Sequence, residues 1–441
     1  MTREFLTSSM RDDPFFSIVL ATYNRGQCIT PTIESVLRQT FSAFDLIVVG
    51  DGCDDGTEDV VASFGSERIF WRNLARNSGS QSFPNNEGIR CARGEWVCYI
   101  GHDDVWAPDH LARLRALIEQ DRTIDFAVSG CIYYGPQGSE VYYVTGLFTG
   151  SGAAFEHFFP PSSIAHRRDV VARIGEWRDP RSIAPPVDSE FLLRAARGGL
   201  RFASTSCVTV HKFAAGHRYL SYLRQTDGEQ RALLRMFDQG GDGDVERLIE
   251  ISKRAGLFMT MRYLDFSGYD NGRLFDLNRM NKGLNRPPLR PLTQRIVIEQ
   301  SSEPRGLDWH GLGQGGGPFR LWSRPFRWSG PNPRPKILIP FTGDRARISI
   351  QIASLESGAQ PEGLSVLVEE QKVEHTMELG VNGTLWLRFV ALLSRHDYTI
   401  VSLRTPVMFS PIMLPPDETG GGKEGPRIGV AAADMILDPL Q

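Results

Sequence analysis

The sequence predicts an α/β domain on a largely parallel sheet, then a helical connector and a C-terminal β-sandwich. Three observations predict it. Over the first half, short apolar runs alternate with segments of helical period, the pattern of strands joined by crossover helices. From Thr226 to about Asn285 only the helical period persists, as in "DVERLIEISKRAGLFMTMRYL". Beyond the proline-punctuated "NRPPLRPL" (285–292), short alternating runs lie between Gly/Pro-rich turns, as in antiparallel strands. The implied domains are 1–225, 226–292 and 293–441.

The elements follow in order. "FFSIVLAT" (15–22) reads as a buried strand. Thr30 before Pro31 reads as the cap and first turn of the helix "PTIESVLRQ". "FDLIVV" (44–49) is a second strand, and "GDGCDDGT" (50–57) a tight loop whose Thr57 caps "EDVVASF". "RIFWRN" (68–73) and "EWVCYI" (95–100) are the third and fourth strands, with a polar loop and a helix between them. "APDHLARLRALIEQ" (107–120) has the helical period. "FAVSGCIYY" (126–134), an extended "SSIAHR" (162–167) and the helix "SEFLLRAARGG" (189–199) complete the domain. In the last part, "KILIPF", "RARISIQI", "TLWLRFVAL" and "YTIVSL" are typical strand candidates.

Composition narrows the function. The 441 residues carry a formal net charge of −3 with acids and bases mixed, so nucleic acid is not the expected partner. No apolar run is long enough to span a bilayer, and the polar N-terminus is not a signal peptide. Six cysteines without a CxxC pair suit reduced thiols in a cytosolic protein, at most peripheral at the inner face of a membrane.

In an open parallel sheet, ligands bind beyond the carboxyl ends of the strands. Three polar clusters fall there: Thr22-Tyr23-Asn24-Arg25, Gly50-Asp51-Gly52 and Gly101-His102-Asp103-Asp104. Carboxylates gathered at strand ends need a cation or donors to compensate them. A hard divalent ion, Mg²⁺ or Mn²⁺, takes one or two carboxylates plus phosphate oxygens. Capping of the following helix would explain one of the two adjacent aspartates, not both. "GDGCDDG" is not a GxGxxG fingerprint. In "HKFAAGHR" (211–218), His211 or His217 is a candidate to complete a metal shell or to meet a diphosphate, against the structural role more common for a lone histidine, and Arg218 is a candidate to bind phosphate. Trp309, Trp322 and Trp328 suit either sandwich core or a sugar-stacking face, and the core reading is preferred.

The ordered segments "SIVLATYNRG", "DLIVVGDGCDDGT", "NSGSQSFPNNEGI", "ARGEWVCYIGHDDVWAPDHL" and "PVDSEFLLRAARGGLRF" resemble a family 2 glycosyltransferase of the GT-A fold, a Rossmann-like nucleotide-diphospho-sugar transferase domain. The resemblance covers about residues 14 to 220. It implies that Thr22 and Tyr23 lie against the nucleotide base and that Asp51 bonds to that base. The stretch from Asn77 through Gly79 to Asn86 would lie near the ribose and diphosphate. Asp103 matches the last acid of the DxD motif, the metal ligand, with Mn²⁺ or Mg²⁺ as cofactor. Asp188 matches the general base of inverting members, with capping of the helix that begins "DSEFLLRAA" as the other reading. Arg25 and Asp104 join the nucleotide-binding candidates, and His217 the metal candidates. The implied partners are a nucleotide-diphosphate sugar and a glycan, lipid-linked or other hydroxyl acceptor; a homo-oligomer is left open.

Two positions depart from the family pattern. Gly50 stands for the first acid of "VVDDGS", and Gly101 for the first acid of DxD. The usual ribose-contacting carboxylate is therefore absent, with Asp104 or His102 as substitutes. Two other readings remain: a nucleotidyltransferase, although "ATYNRGQ" lacks its glycine-rich phosphate loop, and a non-catalytic sugar- or nucleotide-binding module.

Overall fold

The computed structural model describes residues 13–135, 142–149, 151–152, 159–183, 185–213, 215, 221–223 and 225–254 and isolated positions between 258 and 284. Beyond these it describes the segments 289–298, 309–313, 326–329, 336–355, 364–380, 385–395, 398–404, 413–414, 423–424 and 430–440. The chain forms two compact units, residues 1–137 with 142–278, and residues 138–141 with 279–441.

In the first unit the order is β1 (Phe16–Thr22), α1 (Thr30–Leu37), β2 (Phe44–Gly50), α2 (Thr57–Ser63), β3 (Ile69–Asn73), α3 (Ser82–Cys91), β4 (Trp96–Tyr99), β5 (Asp104–Trp106) and α4 (His110–Gln120). Then come β6 (Phe126–Tyr134), β7 (Tyr142–Thr145), β8 (Ser151–Gly152), β9 (Ile164–Arg167), α5 (Val170–Ile174), α6 (Val187–Arg197), β10 (Phe202–Lys212), α7 (Gly228–Asp238) and α8 (Val245–Arg254). The strands form one sheet in the order β3-β2-β1-β4-β9-β6-β10-β5, with β7 beside β6 and β8 beside β10. β1, β2, β3 and β4 run parallel, as do β6 and β10. β9 is antiparallel between β4 and β6, and β5 is antiparallel to β10.

Both faces of the sheet are covered, which is why β1, β2 and β6 are buried along nearly their whole length. Ile18 and Leu20 of β1 pack with Ile29, Ile33 and Leu111 on one face. Val19 of the same strand packs with Ile47, Ile89 and Phe191 on the other. The helix starts differ from the sequence reading by one residue. Ile29 caps α1 and Gly56 caps α2, neither through a side chain. Thr57 acts instead as a tie between loops. Its hydroxyl bonds to Asp55 and accepts from the Arg25 N–H at 3.0 Å, joining the loop after β1 to the loop after β2.

The segment expected as a connector contributes two helices to this unit. Leu233 and Leu234 of α7 pack with Val105 and Phe213, and Leu248 of α8 packs with Ile132 and Val144. Among the described residues of the second unit, its two larger antiparallel sheets share a core. Ile348, Ile350, Leu387 and Phe389 come from one; Ile337, Ile339, Val366 and Val401 come from the other. Trp309 and Trp328 fall in strands, and Trp322 lies outside the described residues.

Candidate active site

The ends of β1, β2 and β4 lie side by side because those strands are parallel neighbours. Asp51 donates its N–H to the Thr22 carbonyl at 2.7 Å, joining the first two ends. Its carboxylate is 4% exposed and fully engaged. Oδ1 accepts from Ser78 N–H, and Oδ2 from Gly79 N–H and the Asn77 amide, each at 3.0 Å. Asp51 therefore holds the 77–79 loop against the end of β2. Gly52 makes this approach feasible: its φ is +72°, and a Cβ there would lie 2.4 Å from the Arg76 carbonyl carbon. The Thr22 hydroxyl is buried without a hydrogen-bond partner.

Arg25, 3% exposed, turns inward. It donates to the Ser221 carbonyl at 2.6 Å, lies 4.5 Å over the Tyr222 ring, and approaches Asp103 to 3.8 Å. Its Nε finds no acceptor. The Tyr222 ring also neighbours Tyr23 and His102. Residues of this later segment were invisible to the sequence reading; nothing local in "SYLRQ" marks them.

The two adjacent aspartates separate. Asp103 is 7% exposed and accepts from Ala215 N–H at 2.8 Å. Gln230 of α7 donates to its backbone carbonyl at 3.3 Å, so that helix helps to hold the turn. Asp104, expected among the nucleotide contacts, is instead wholly enclosed. It begins β5, a strand too short for any periodic signal, and its Oδ2 receives Lys212 Nζ at 2.8 Å and the Ser162 hydroxyl at 2.5 Å. Burial drives its carboxyl upward, against the pull of Lys212. Burial opposes the Lys212 charge, but Asp104 and then Asp103 outweigh it and hold the ammonium above the ordinary lysine range.

The two glycine departures have a steric counterpart. A Cβ at Gly50 would lie 2.6 Å from Asn73 Oδ1 and 2.7 Å from the Trp71 ring. A Cβ at Gly101 would lie 2.7 Å from Asp104 Oδ2. Where the family pattern has acids, neighbouring side chains fill the space.

Asp188 is the second residue of α6, with Pro186 at the cap position, so it is not the cap. It is partly exposed, and burial raises its carboxyl above the usual range, with Lys212 among the charges opposing the rise. Glu190, further along the same turn, is forked onto Arg194 at 2.9 Å through both oxygens and meets Arg178 at 3.2 Å. Asn86 does not face the cleft contacts expected of it: its amide exchanges hydrogen bonds with the Trp177 backbone at 2.9 and 3.0 Å. His211 is fully buried against Tyr134 at 2.8 Å and is held neutral, its pKa pushed down to about 4 by burial. His217 and Arg218 lie outside the described residues.

Among the described residues no group of three or more His, Cys, Asp and Glu is arranged to hold a metal. With Asp104 paired to Lys212, the donor set at this turn reduces to the Asp103 carboxylate. One carboxylate together with diphosphate oxygens meets the demand of Mg²⁺ or Mn²⁺, which keep few protein ligands. The turn fits such an ion as a shared, not an all-protein, site.

A curled α/β sheet with helices on both faces and polar clusters at its strand ends is the GT-A arrangement. Residues 17–165 match the family model of Glycosyl transferase family 2, and the N-terminal domain belongs to that family. An uncharacterized glycosyltransferase of Nostoc sp. is 28% identical over 180 residues, 36% of this chain and 52% of the relative. The succinoglycan biosynthesis protein ExoO of Rhizobium meliloti is 36% identical over 107 residues, 24% of this chain and 30% of the relative. The crystal structure of S. aureus TarS in complex with UDP aligns at 18% identity and a TM-score of 0.39, covering 62% of this chain and 93% of that one. The chain spans about half the length of the Nostoc relative it matches. No helix among the described residues is long and apolar enough to cross a membrane.

Proposed function

We propose that the chain is a metal-dependent, inverting glycosyltransferase that moves a sugar from a nucleotide-diphosphate sugar to an acceptor hydroxyl, in cytoplasmic polysaccharide biosynthesis. The observation that carries this reading is the placing of Asp51, Asp103 and the Thr22–Arg25 segment at adjacent strand ends of a family 2 domain. The Thr22–Tyr23 segment and the loop held by Asp51 bind the nucleoside, and Asp103 holds Mn²⁺ or Mg²⁺ beside the diphosphate. A divalent ion there supplies charge stabilisation to the leaving diphosphate. Asp188 takes the proton of the acceptor hydroxyl. Its raised carboxyl makes it a stronger base than an ordinary aspartate, and the first turn of a helix fixes its direction. Glu190 is unsuited to that role because Arg194 and Arg178 already occupy its oxygens. The succinoglycan relative supports the choice of a polysaccharide pathway.

The test is release of nucleoside diphosphate from UDP-, GDP-, dTDP- and CDP-sugars, with and without Mn²⁺, on wild type and Asp188→Ala. Loss of a general base lowers turnover by about 10²–10⁴-fold while donor affinity stays nearly unchanged. Normal turnover in the variant removes Asp188 from the mechanism. Tight donor binding without turnover in wild type makes the domain a binding module.

A further inference from the structure

We propose that Lys212 is a positioning residue of the donor site: paired with Asp104, it fixes the Gly101–Asp104 turn and thereby Asp103. The proposal rests on the donor-site reading above and adds a residue that the motifs do not contain.

Lys212 ends β10, and Asp104 begins β5; the two are register partners across the antiparallel pair. The Asp104 carboxylate is fully buried, and a charge so placed persists only with a counter-ion. Lys212 Nζ is that counter-ion, at 2.8 Å. The same carboxylate oxygen receives the Ser162 hydroxyl, whose oxygen accepts the Gly101 N–H at 3.0 Å. The Asp104 N–H returns to the Gly101 carbonyl at 3.0 Å. The turn is thus closed around one carboxylate, in the volume a side chain at 101 would need. Asp103 stands within that closed turn. Beyond β10, Ala215 donates to the Asp103 carboxylate, so one segment secures both acids. Without Lys212 the buried Asp104 carboxylate loses the ammonium that holds it in place, and the turn closed around it is released.

Calorimetry of UDP and GDP binding with Mn²⁺ tests this on four forms of the whole chain: wild type, Lys212→Met, Lys212→Arg and the double variant Asp104→Asn/Lys212→Met. Circular dichroism checks the fold of each. Lys212→Met should weaken the tighter of the two nucleotides by at least about tenfold, and Lys212→Arg should recover most of that loss. The double variant leaves no unpaired charge and should bind within about threefold of wild type, a coupling only a paired role produces. Wild-type affinity in Lys212→Met overturns the proposal. So does a double variant as weak as Lys212→Met, because the ammonium would then touch the ligand itself. If Lys212→Met does not fold, weak binding by the double variant is decisive against it. Absence of binding by wild type overturns the donor-site reading and this proposal together.

Discussion

Asp103 and Asp104 are neighbours in the chain but live in different surroundings. Asp104 faces the β5–β10 pair and is spent on Lys212, whereas Asp103 faces Arg25 across a loose 3.8 Å gap. Asp103→Asn keeps the shape and an acceptor for Ala215 N–H but removes the charge a divalent ion needs. Calorimetry should show the loss of Mn²⁺-dependent nucleotide binding. The variant should stay folded but lose about 1–3 kcal/mol of stability, since buried Arg25 loses a counter-charge. Unchanged Mn²⁺ dependence would move the metal to another residue. Asp103 was legible in the sequence because it follows an apolar run. The partner of Asp104 was not, because Lys212 lies 108 residues away and only the antiparallel pairing brings it close.

At the scale of elements, α3 lies unusually close to β1. A Cβ at Gly88 would sit 2.4 Å from Val19 Cγ1 and 2.8 Å from Cγ2. In an exposed helix, Gly→Ala stabilises by about 1 kcal/mol. Here the sign reverses. β1 is hydrogen-bonded between β2 and β4 and has no freedom to retreat, so Gly88→Ala should cost about 1–3 kcal/mol through overpacking. Urea denaturation should report this loss, and Val19→Ala in the same chain should recover a good part of it. A stabilised Gly88→Ala would show that α3 moves away freely. The contact matters for the site because α3 begins just after the loop that Asp51 holds. Sequence periodicity located α3 only loosely, since its buried residues include polar Asn85 and Asn86. Asn86 is buried to clamp Trp177, a partner 91 residues away.

On the scale of the whole molecule, each of the two units has its own core. Residues 279–441, expressed alone, should give a β-type circular dichroism spectrum and a cooperative melt. A disordered spectrum would mean that the second core depends on the first. Acid should act on the first unit. His110, His166 and His211 are fully buried, and burial lowers their pKa values to about 3, 4 and 4. The unfolded chain takes up these protons below about pH 6.5, while the folded chain resists until about pH 4. The contribution is therefore complete above pH 6.5 and is lost as the pH falls through that window, at about 2 kcal/mol per histidine by pH 5. Calorimetry at pH 7.5 and pH 5 should show the melting temperature dropping by several degrees. A constant value would contradict neutral burial of the three.

The alternation of strand and helix in the first half, the change to β-structure in the last part, and the polar clusters at the ends of β1, β2 and β4 are all written in the linear order of residues. These are local properties: side-chain period, propensity, and the placement of glycine and acid after an apolar run. The sequence also carried enough ordered motifs to point to the family. Which acids are engaged by distant partners is a matter of tertiary structure. It closed Asp104 with Lys212 and Ser162, filled the places beside Gly50 and Gly101, locked Glu190 to Arg194, and turned the supposed connector helices onto the first sheet. Each of those outcomes depends on which distant segment comes to lie within hydrogen-bond or van der Waals reach, and neither residue type nor spacing encodes that.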